Sequence, residues 1–326
     1  RWKFISDTLI RSAIFFEEDE VSKSEIRGRK IIDFTLLPMP GRFTKLLPHP
    51  SFRKLLTTEL LFAKQNMSGT AASNLKALFV QLKLDQDALK MIDSNSWYLK
   101  ALGIQQIGIM ELDEHHDRIF KYTNNKKGLI RVEAQNAIVK FSGFEGLRFL
   151  DNATYPISEW QQIKLLEELS QLPAENFTGI EKWLISGNDS VVIFALKLTG
   201  NYYRFELYDR VAGCLKHANP EVRRQAINVL KELANEGTAS HLIEGYRTET
   251  GRNKLTILKA LEKVSTNIEI PFLLDLLGDE SNAIKIAASR TLATLGNEGF
   301  RALLFYPEAN EYPYNEIINQ IRAEKV

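Results

Sequence analysis

The chain has 326 residues, of which 44% are apolar, and its 42 Lys and Arg nearly balance its 41 Asp and Glu. This apolar content is typical of a folded globular protein and excludes a disordered chain. The even balance of charge disfavours a general nucleic-acid binder, which carries a basic excess. A single cysteine excludes an intrachain disulfide framework and suits a reducing compartment.

The first sixteen residues predict an amphipathic helix. Arg1, Lys3 and Arg11 flank its apolar residues, and Trp2 lies between two of these cations. Tryptophan beside basic residues is typical of the cytoplasmic end of a membrane span. Two interpretations follow: an ordinary first helix, or a helix that follows a membrane anchor upstream of Arg1. No apolar run in the chain approaches the roughly 20 residues that cross a bilayer.

Residues 1–50 are predicted to form an N-terminal region of their own. The acidic run 17–20 follows the first helix, and four prolines from Pro38 to Pro50 then forbid a continuous helix. We expect a proline-rich connector that caps or links the domain after it. That helical-repeat domain is predicted over residues 51–326.

The rest of the chain repeats with a period of 31 residues. One ladder of apolar residues stands at this spacing: Ile180, Val211, Leu242, Leu273 and Leu304. A second ladder is mostly alanine: Ala195, Ala226, Ile257 and Ala288. A fixed period of this kind indicates stacked units, each of which buries its apolar face against a neighbour. The sequence therefore predicts an all-α fold, an α-solenoid or superhelix of stacked antiparallel helix pairs.

Each unit is predicted to contain two helices joined by a short turn. In one second helix, Val222, Ala226, Leu230 and Leu233 are spaced four, four and three residues apart, which places them on one helical face. We expect the alanine to let the paired helices approach closely, because a larger residue would overpack the core. The clearest repeats lie in residues 95–305.

The start of the second helix resembles a HEAT repeat. The closest segments share a branched residue, a basic residue and an alanine: Val222-Arg223-Arg224-Gln225-Ala226, Ile130-Arg131-Val132-Glu133-Ala134 and Ile284-Lys285-Ile286-Ala287-Ala288. The short period is similar to that of compact bacterial HEAT-like proteins, which include the phycobilin-lyase type. The Arg1-Trp2-Lys3 start resembles that of membrane-tethered bacterial HEAT-repeat proteins. The resemblance implies that one basic position reaches an acidic or carbonyl group of a neighbouring unit: Arg131, Arg223, Lys254 and Lys285.

No cluster of side chains predicts catalysis. Adjacent residues on a helix point about 100° apart, so His115 and His116 cannot share one metal ion as an i, i+4 pair does. Cys214 and His217 have the spacing of a nucleophile and its base, but a free cysteine beside a core ladder is expected to be a small buried apolar residue. We therefore predict no catalytic residue, no cofactor and no metal site.

One feature of the repeat is a candidate for binding a partner. Four polar or basic residues occupy one position of successive second helices, and we call them the stripe: Lys197, Asn228, Lys259 and Arg290. The HEAT resemblance implies that second helices line the concave face, where partners bind. A stripe there would hold an acidic segment or phosphate groups. The alternative is that these are ordinary solvated positions beside the core.

Together these features predict a non-enzymatic scaffold or adaptor for protein–protein interaction. The HEAT resemblance and the basic N-terminal helix imply a bacterial protein in the cytoplasm, at or near the inner membrane. The alternative is an enzyme of HEAT-like fold. A phycobilin-lyase-like enzyme would need an acidic or histidine-lined pocket for a tetrapyrrole. A DNA-glycosylase-like enzyme would need a groove more basic than a net charge of +1 suggests.

Overall fold

The computed structural model describes residues 2–16, 41–170, 172 and 178–324. Throughout these ranges the regular elements are helical and no strand occurs, which confirms the all-α prediction. The chain divides into two compact units, Arg1–Phe177 and Thr178–Val326. The predicted connector falls largely on residues 17–40, which lie outside the described residues, so the predicted division into 1–50 and 51–326 stays a prediction.

The first unit is built from α-helices of very different lengths. They are α1 Trp2–Ile14, α2 Gly41–Thr44, α3 Pro50–Gln65, α4 Gly69–Gln81, α5 Leu84–Asp93, α6 Trp97–Ile109, α7 His116–Phe120, α8 Gly128–Ser142 and α9 Glu159–Ser170. Helix α1 packs against α3 and α4. The Trp2 ring lies edge-on to Phe52, with ring centroids 5.9 Å apart. Trp2 therefore contributes to the packing of this unit.

The second unit contains the clearest helix pairs. Its helices are α10 Ile180–Trp183, α11 Asp189–Asn201, α12 Tyr208–Gly213, α13 Pro220–Glu232, α14 Thr238–Thr248, α15 Gly251–Val264, α16 Ile270–Asp275, α17 Asn282–Thr294, α18 Gly296–Leu304 and α19 Tyr314–Glu324. The second helices α11, α13, α15 and α17 pack each against the next and form one layer. Stacked helix pairs are thus confirmed within this unit.

The first helices of two pairs are short, which accounts for the short period. Helix α12 has six residues and lies between 3-10 turns at Phe205–Leu207 and Cys214–Lys216. Helix α16 also has six residues, between 3-10 turns at Asn267–Glu269 and Leu276–Gly278. Because a 3-10 turn uses three residues where an α-turn uses 3.6, these segments complete a helical hairpin in fewer residues.

Asparagine caps mark where two of the second helices, α11 and α13, begin. The Asn219 side chain accepts a hydrogen bond from the backbone N–H of Glu221 at 2.8 Å, and Pro220 supplies the first residue of α13. Asn188 caps α11 in the same way, accepting from the N–H of Ser190 at 3.2 Å. These contacts satisfy N–H groups that have no partner inside the helix.

The 31-residue ladders form the core of the second unit. Ile180, Val211, Leu242 and Leu273 are at most 1% exposed, and Ala195, Ala226 and Ala288 are fully buried. The predicted core positions are therefore confirmed for four successive helix pairs. They also explain the repeat, because a residue 31 positions away lies at the same place in the next pair.

The last residue of the first ladder was predicted wrongly. Leu303 is fully buried, whereas the predicted Leu304 is only partly buried. Helix α18 begins at Gly296, immediately after the cap of α17, and this glycine has a φ of 70°. The tight left-handed turn replaces the longer loop of the earlier units, so the register moves by one residue.

Arg223 occupies the basic position implied by the HEAT resemblance, and its side chain links two neighbouring helix pairs. Its Nη1 donates to the carbonyl oxygens of His217 and Ala218 at 2.7 and 2.9 Å. Its Nη2 donates to Oε2 of Glu249, in the next helix pair, at 3.1 Å. Arg223 therefore holds the turn of its own helix pair and, at the same time, binds a carboxylate of the next helix pair.

The equivalent lysines behave differently from Arg223. Lys254 Nζ lies 4.8 Å from the centre of the Tyr246 ring, and Lys285 Nζ lies 5.7 Å from that of Tyr314. The contact at these two positions is thus with an aromatic face, where the resemblance implied an acid or a carbonyl. An ammonium lacks the planar fork of a guanidinium, so these lysines cannot hold a carboxylate with two parallel hydrogen bonds as Arg223 does.

The Glu249 carboxylate is 6% exposed. Burial raises its pKa, but hydrogen bonds from Arg223 and Asn253, together with the positive charge of Arg223, outweigh burial and hold the pKa below its ordinary value. A carboxyl group with a lowered pKa stabilises the fold above its unfolded pKa. That stabilisation is lost as the pH falls through the lowered, folded-state pKa.

We predict that Glu249→Gln lowers the free energy of unfolding by about 1–3 kcal/mol near neutral pH, because a charged hydrogen-bonded clasp is lost. The difference from wild type should shrink as the pH falls below the ordinary value of 4.5. Urea unfolding at several pH values measures both effects. The control is Glu244→Gln. The Glu244 carboxylate is exposed, and its ion pair with Lys216, at 4.0 Å, is weak. A difference that stays constant with pH would argue against the clasp.

We also predict that Ala226→Leu destabilises the protein by about 1–3 kcal/mol, because the fully buried alanine leaves no room for a larger side chain. Ala283→Leu, at an exposed position of α17, is the control and should change stability by less than about 0.5 kcal/mol. Thermal unfolding followed by circular dichroism compares the two. Equal stability of both variants would show that the alanine position is not a close contact between helices.

Candidate partner-binding surface

The four stripe residues lie on four successive second helices of the second unit. Lys197 is on α11, Asn228 on α13, Lys259 on α15 and Arg290 on α17. Lys197 and Asn228 are partly buried, whereas Lys259 and Arg290 are exposed. The part of the stripe that solvent can reach is therefore concentrated on α15 and α17.

The two exposed cations have different surroundings. Arg290 Nη2 lies 3.1 Å from Oε1 of Glu324 in α19. Gln320 donates to the same carboxylate oxygen at 2.9 Å. Lys259 forms no ion pair with any residue in the described ranges. Lys259 is thus available to an incoming anion, while Arg290 already has one.

A groove of about 310 Å³ lies between α15 and α17, directly beside these cations. Leu255, Leu258 and Ile286 line it together with alanines, and Lys259 and Arg290 lie among the lining residues. Leu258 is fully buried, but Ile286 remains 39% exposed. The groove also contains one acid, Glu262. It therefore combines an aliphatic lining with two cations and one carboxylate.

The aliphatic residues of this surface were not predicted from the sequence. Ile193, Leu255 and Ile286 each precede a basic stripe residue by four positions, and we call these three the aliphatic row. Residues four apart on a helix lie on the same side, one turn from each other. The 31-residue spacing holds for the row as well, with Arg224 at the α13 position. That spacing was the available signal, but periodicity alone does not separate exposed aliphatic residues from core.

The second-helix layer of the first unit has a different character. A cleft of about 420 Å³ there is lined by Glu133, Asn136, Lys140 and Glu168, among others. Lys140 pairs with Glu168 at 3.5 Å. Burial raises the pKa of Glu133, although the charge of Lys164 and a hydrogen bond from Gln105 oppose this. Its lining carries two lysines, Lys140 and Lys164, and three glutamates, so acids outnumber cations there, whereas cations outnumber acids in the lining of the groove between α15 and α17.

Cys214 and His217 do not form a reactive pair. The Cys214 side chain is buried, its Sγ lies 3.9 Å from the Leu184 carbonyl oxygen, and burial raises its pKa to about 11. His217 Nδ1 accepts a hydrogen bond from the backbone N–H of Asn219 at 3.1 Å. A thiol with so high a pKa remains protonated near neutral pH and is a poor nucleophile.

His116, next to His115 in the sequence, contacts residues that are close to it in the chain. Nδ1 of His116 lies 3.1 Å from a carboxylate oxygen of Asp117, and its ring stacks on Phe120 with centroids 5.8 Å apart. Among the described residues, no three His, Cys, Asp or Glu side chains are placed to hold one metal ion. The contacts of His116 are therefore local ones within its own turn of helix.

A polar contact joins the first helices of two successive helix pairs, α12 and α14. The Tyr208 hydroxyl lies 2.9 Å from Oγ1 of the buried Thr238 and 3.2 Å from Nδ1 of His241. Because Tyr208 and Thr238 belong to successive helix pairs, this hydrogen bond joins neighbours and satisfies a buried hydroxyl. Its role is to fix the stacking of α12 on α14.

No family model matches the sequence, and none of the curated proteins is significantly similar to it. Among solved structures, an engineered protein is 13% identical and aligns with 98% of this chain and 93% of its own at a TM-score of 0.42. The karyopherin Kap121p bound to Nup53p is 12% identical, with 98% of this chain aligned and a TM-score of 0.37. This chain spans 36% of that karyopherin's length.

A structure of TOG-domain arrays from microtubule polymerases is 12% identical, covers 85% of this chain and 77% of its own, and gives a TM-score of 0.29. Because these identities and TM-scores are low, the architecture is argued from the helices of this chain. Helix pairs at a 31-residue spacing, with buried alanines and an arginine that clasps the neighbouring unit, establish a HEAT-like helical-repeat fold.

Proposed function

We propose that the protein is a scaffold or adaptor that binds an acidic segment of a partner protein on the second helices of its second unit. One observation carries this proposal: Lys259 and Arg290 lie on adjacent packed helices beside an aliphatic groove. A surface that joins apolar area to a few charges is typical of protein interfaces. The packed core beneath it reduces the loss of conformational entropy on binding.

A protein partner is favoured over nucleic acid for two reasons. The net charge of the chain is only +1, and the groove is lined mainly by aliphatic side chains. Binding to a phosphate backbone depends on many cations that together release counterions. Two exposed cations supply little of that effect but are enough to orient an acidic segment.

The alternative of an enzyme of HEAT-like fold gains no support from the groove. A phycobilin-lyase-like protein would need acidic or histidine side chains around a tetrapyrrole. The groove between α15 and α17 is lined by Leu255, Leu258, Ile286 and alanines, whereas the cleft of the first unit does hold acids, Glu133 and Glu168 among them. A DNA-glycosylase-like protein would need a longer basic surface. The non-enzymatic proposal therefore accounts better for the residues that line the groove between α15 and α17.

We further infer that the scaffold acts at the cytoplasmic face of the inner membrane, as the basic residues of α1 predict. Phe4 and Phe15 in and beside α1 are 75% and 80% exposed, and apolar side chains beside cations favour an anionic lipid surface. No helix in the described ranges has the length and apolar character to cross a bilayer. Cosedimentation with anionic vesicles tests the lipid contact, and we expect the Phe4→Ser variant to pellet less than the wild-type protein.

We predict that the double variant Lys259→Glu, Arg290→Glu reduces capture of the partner by about tenfold in a quantitative pull-down, since two attractions become repulsions. Capture by the wild-type protein should also fall with added salt, because exposed charges are screened within about 10 Å at 0.1 M ionic strength. Lys216→Glu, which reverses an 84% exposed lysine on another surface, is the control. Equal capture by all three proteins would exclude the stripe as the binding site.

A further inference from the structure

We infer, on the basis of the proposed function, that the bound segment is an acidic amphipathic helix. Its apolar side chain enters the groove between α15 and α17, and its carboxylates pair with Lys259 and Arg290. Recognition then depends on two residues of the aliphatic row, Leu255 and Ile286, as well as on the charged stripe.

The apolar side of the groove provides the first argument. Ile286 is 39% exposed and lies across the groove from Leu255, with Leu258 and Ala287 also in the lining. Apolar area that stays in contact with water stabilises a complex when a partner covers it. A leucine or phenylalanine side chain of the partner would cover this area, whereas a purely polar acidic segment would leave it in water.

The charges around the groove provide the second argument. Two cations and one carboxylate, Glu262, lie among the lining residues. Lys259 has no anionic partner in the described part of the chain. Among the described residues, Lys259 therefore offers an acidic segment a cation without an anionic partner, and Arg290 joins it once the segment displaces Glu324.

The protein's own C-terminal helix supports a helical occupant. Helix α19 packs against α17 and places the Glu324 carboxylate 3.1 Å from Arg290. The stripe thus accepts a carboxylate that is presented by a neighbouring helix. Because Glu324 occupies Arg290, an incoming acidic helix has to compete with it for the guanidinium.

The spacing of the repeats specifies where the partner's acids lie. Lys259 and Arg290 occupy equivalent positions, because they are 31 residues apart. Since packed helices are about 8–10 Å apart, these positions are separated by about that distance along the layer. Two residues seven positions apart on a helix are separated by about 10.5 Å. A partner helix with acidic residues at i and i+7 and an apolar residue between them matches both cations and the groove.

The test measures the affinity of a fluorescein-labelled helical peptide with two Glu residues seven positions apart and leucines between them, by fluorescence anisotropy with the full chain. We expect Lys259→Glu and Ile286→Ser each to weaken binding by about fivefold to tenfold. The matched control for the aliphatic change is Ile268→Ser, at an isoleucine that is 83% exposed and lies outside the groove. This control should bind as wild type does.

Competition by the C-terminal helix gives a result of opposite sign. Glu324→Gln frees Arg290 and should tighten binding of the same peptide by about twofold to fivefold. A contact that only holds α19 in place predicts no tightening. Thermal unfolding of each variant establishes that the fold is retained.

The outcomes separate this inference from the proposed function. If Lys259→Glu weakens binding while Ile286→Ser and Glu324→Gln have no effect, the charged stripe stands and the amphipathic helix is overturned. If a peptide with Lys in place of Glu binds equally well, charge recognition is overturned as well. If the pull-down responds to the stripe variants but the Glu–Leu peptide does not bind, the partner is acidic but of another form, and the inference fails alone.

Discussion

The structure depends on one constraint: a single short helix pair cannot bury its own apolar face. In the second unit each pair completes its core against the next, through fully buried residues such as Val211, Leu242 and Ala226. Because every pair meets the same requirement, the same positions are buried in each, and the second helices are forced into one layer. Residues 31 positions apart in sequence consequently lie side by side in space.

This constraint also creates the candidate surface. Positions on the core side of a second helix are fixed by packing, whereas positions on the opposite side are free to carry other residues. On α15 and α17 those free positions hold an aliphatic residue followed one turn later by a cation, as in Leu255 with Lys259 and Ile286 with Arg290. Stacking then places two such pairs next to each other, so two short motifs become one groove with charges beside it. The arginine clasp between Arg223 and Glu249 helps to hold the underlying pairs in register.

Much of the fold followed from the sequence, because burial leaves a periodic trace. The ladders of Val211 and Ala226 predicted the core, and the stripe residues were placed on the correct successive helices. The shift from Leu304 to Leu303 could not be read from periodicity, since it arises from a tight turn at Gly296. The Glu324 contact was missed for a similar reason, because α19 lies outside the ladder and only packing brings it to α17. Exposed aliphatic residues such as Ile286 were hidden among core residues that share their period.

We propose that repeat stacking turns the outward side of α15 and α17 into a binding surface. Methyl NMR of the isoleucine-labelled protein, titrated with the acidic helical peptide, tests it most directly. We expect the Ile286 signal to shift strongly and the buried Ile257 signal to shift little. The Ile268 and Ile185 signals, from exposed residues outside the groove, should stay unchanged. Shifts concentrated at Ile268 or Ile185, with Ile286 unaffected, would contradict it.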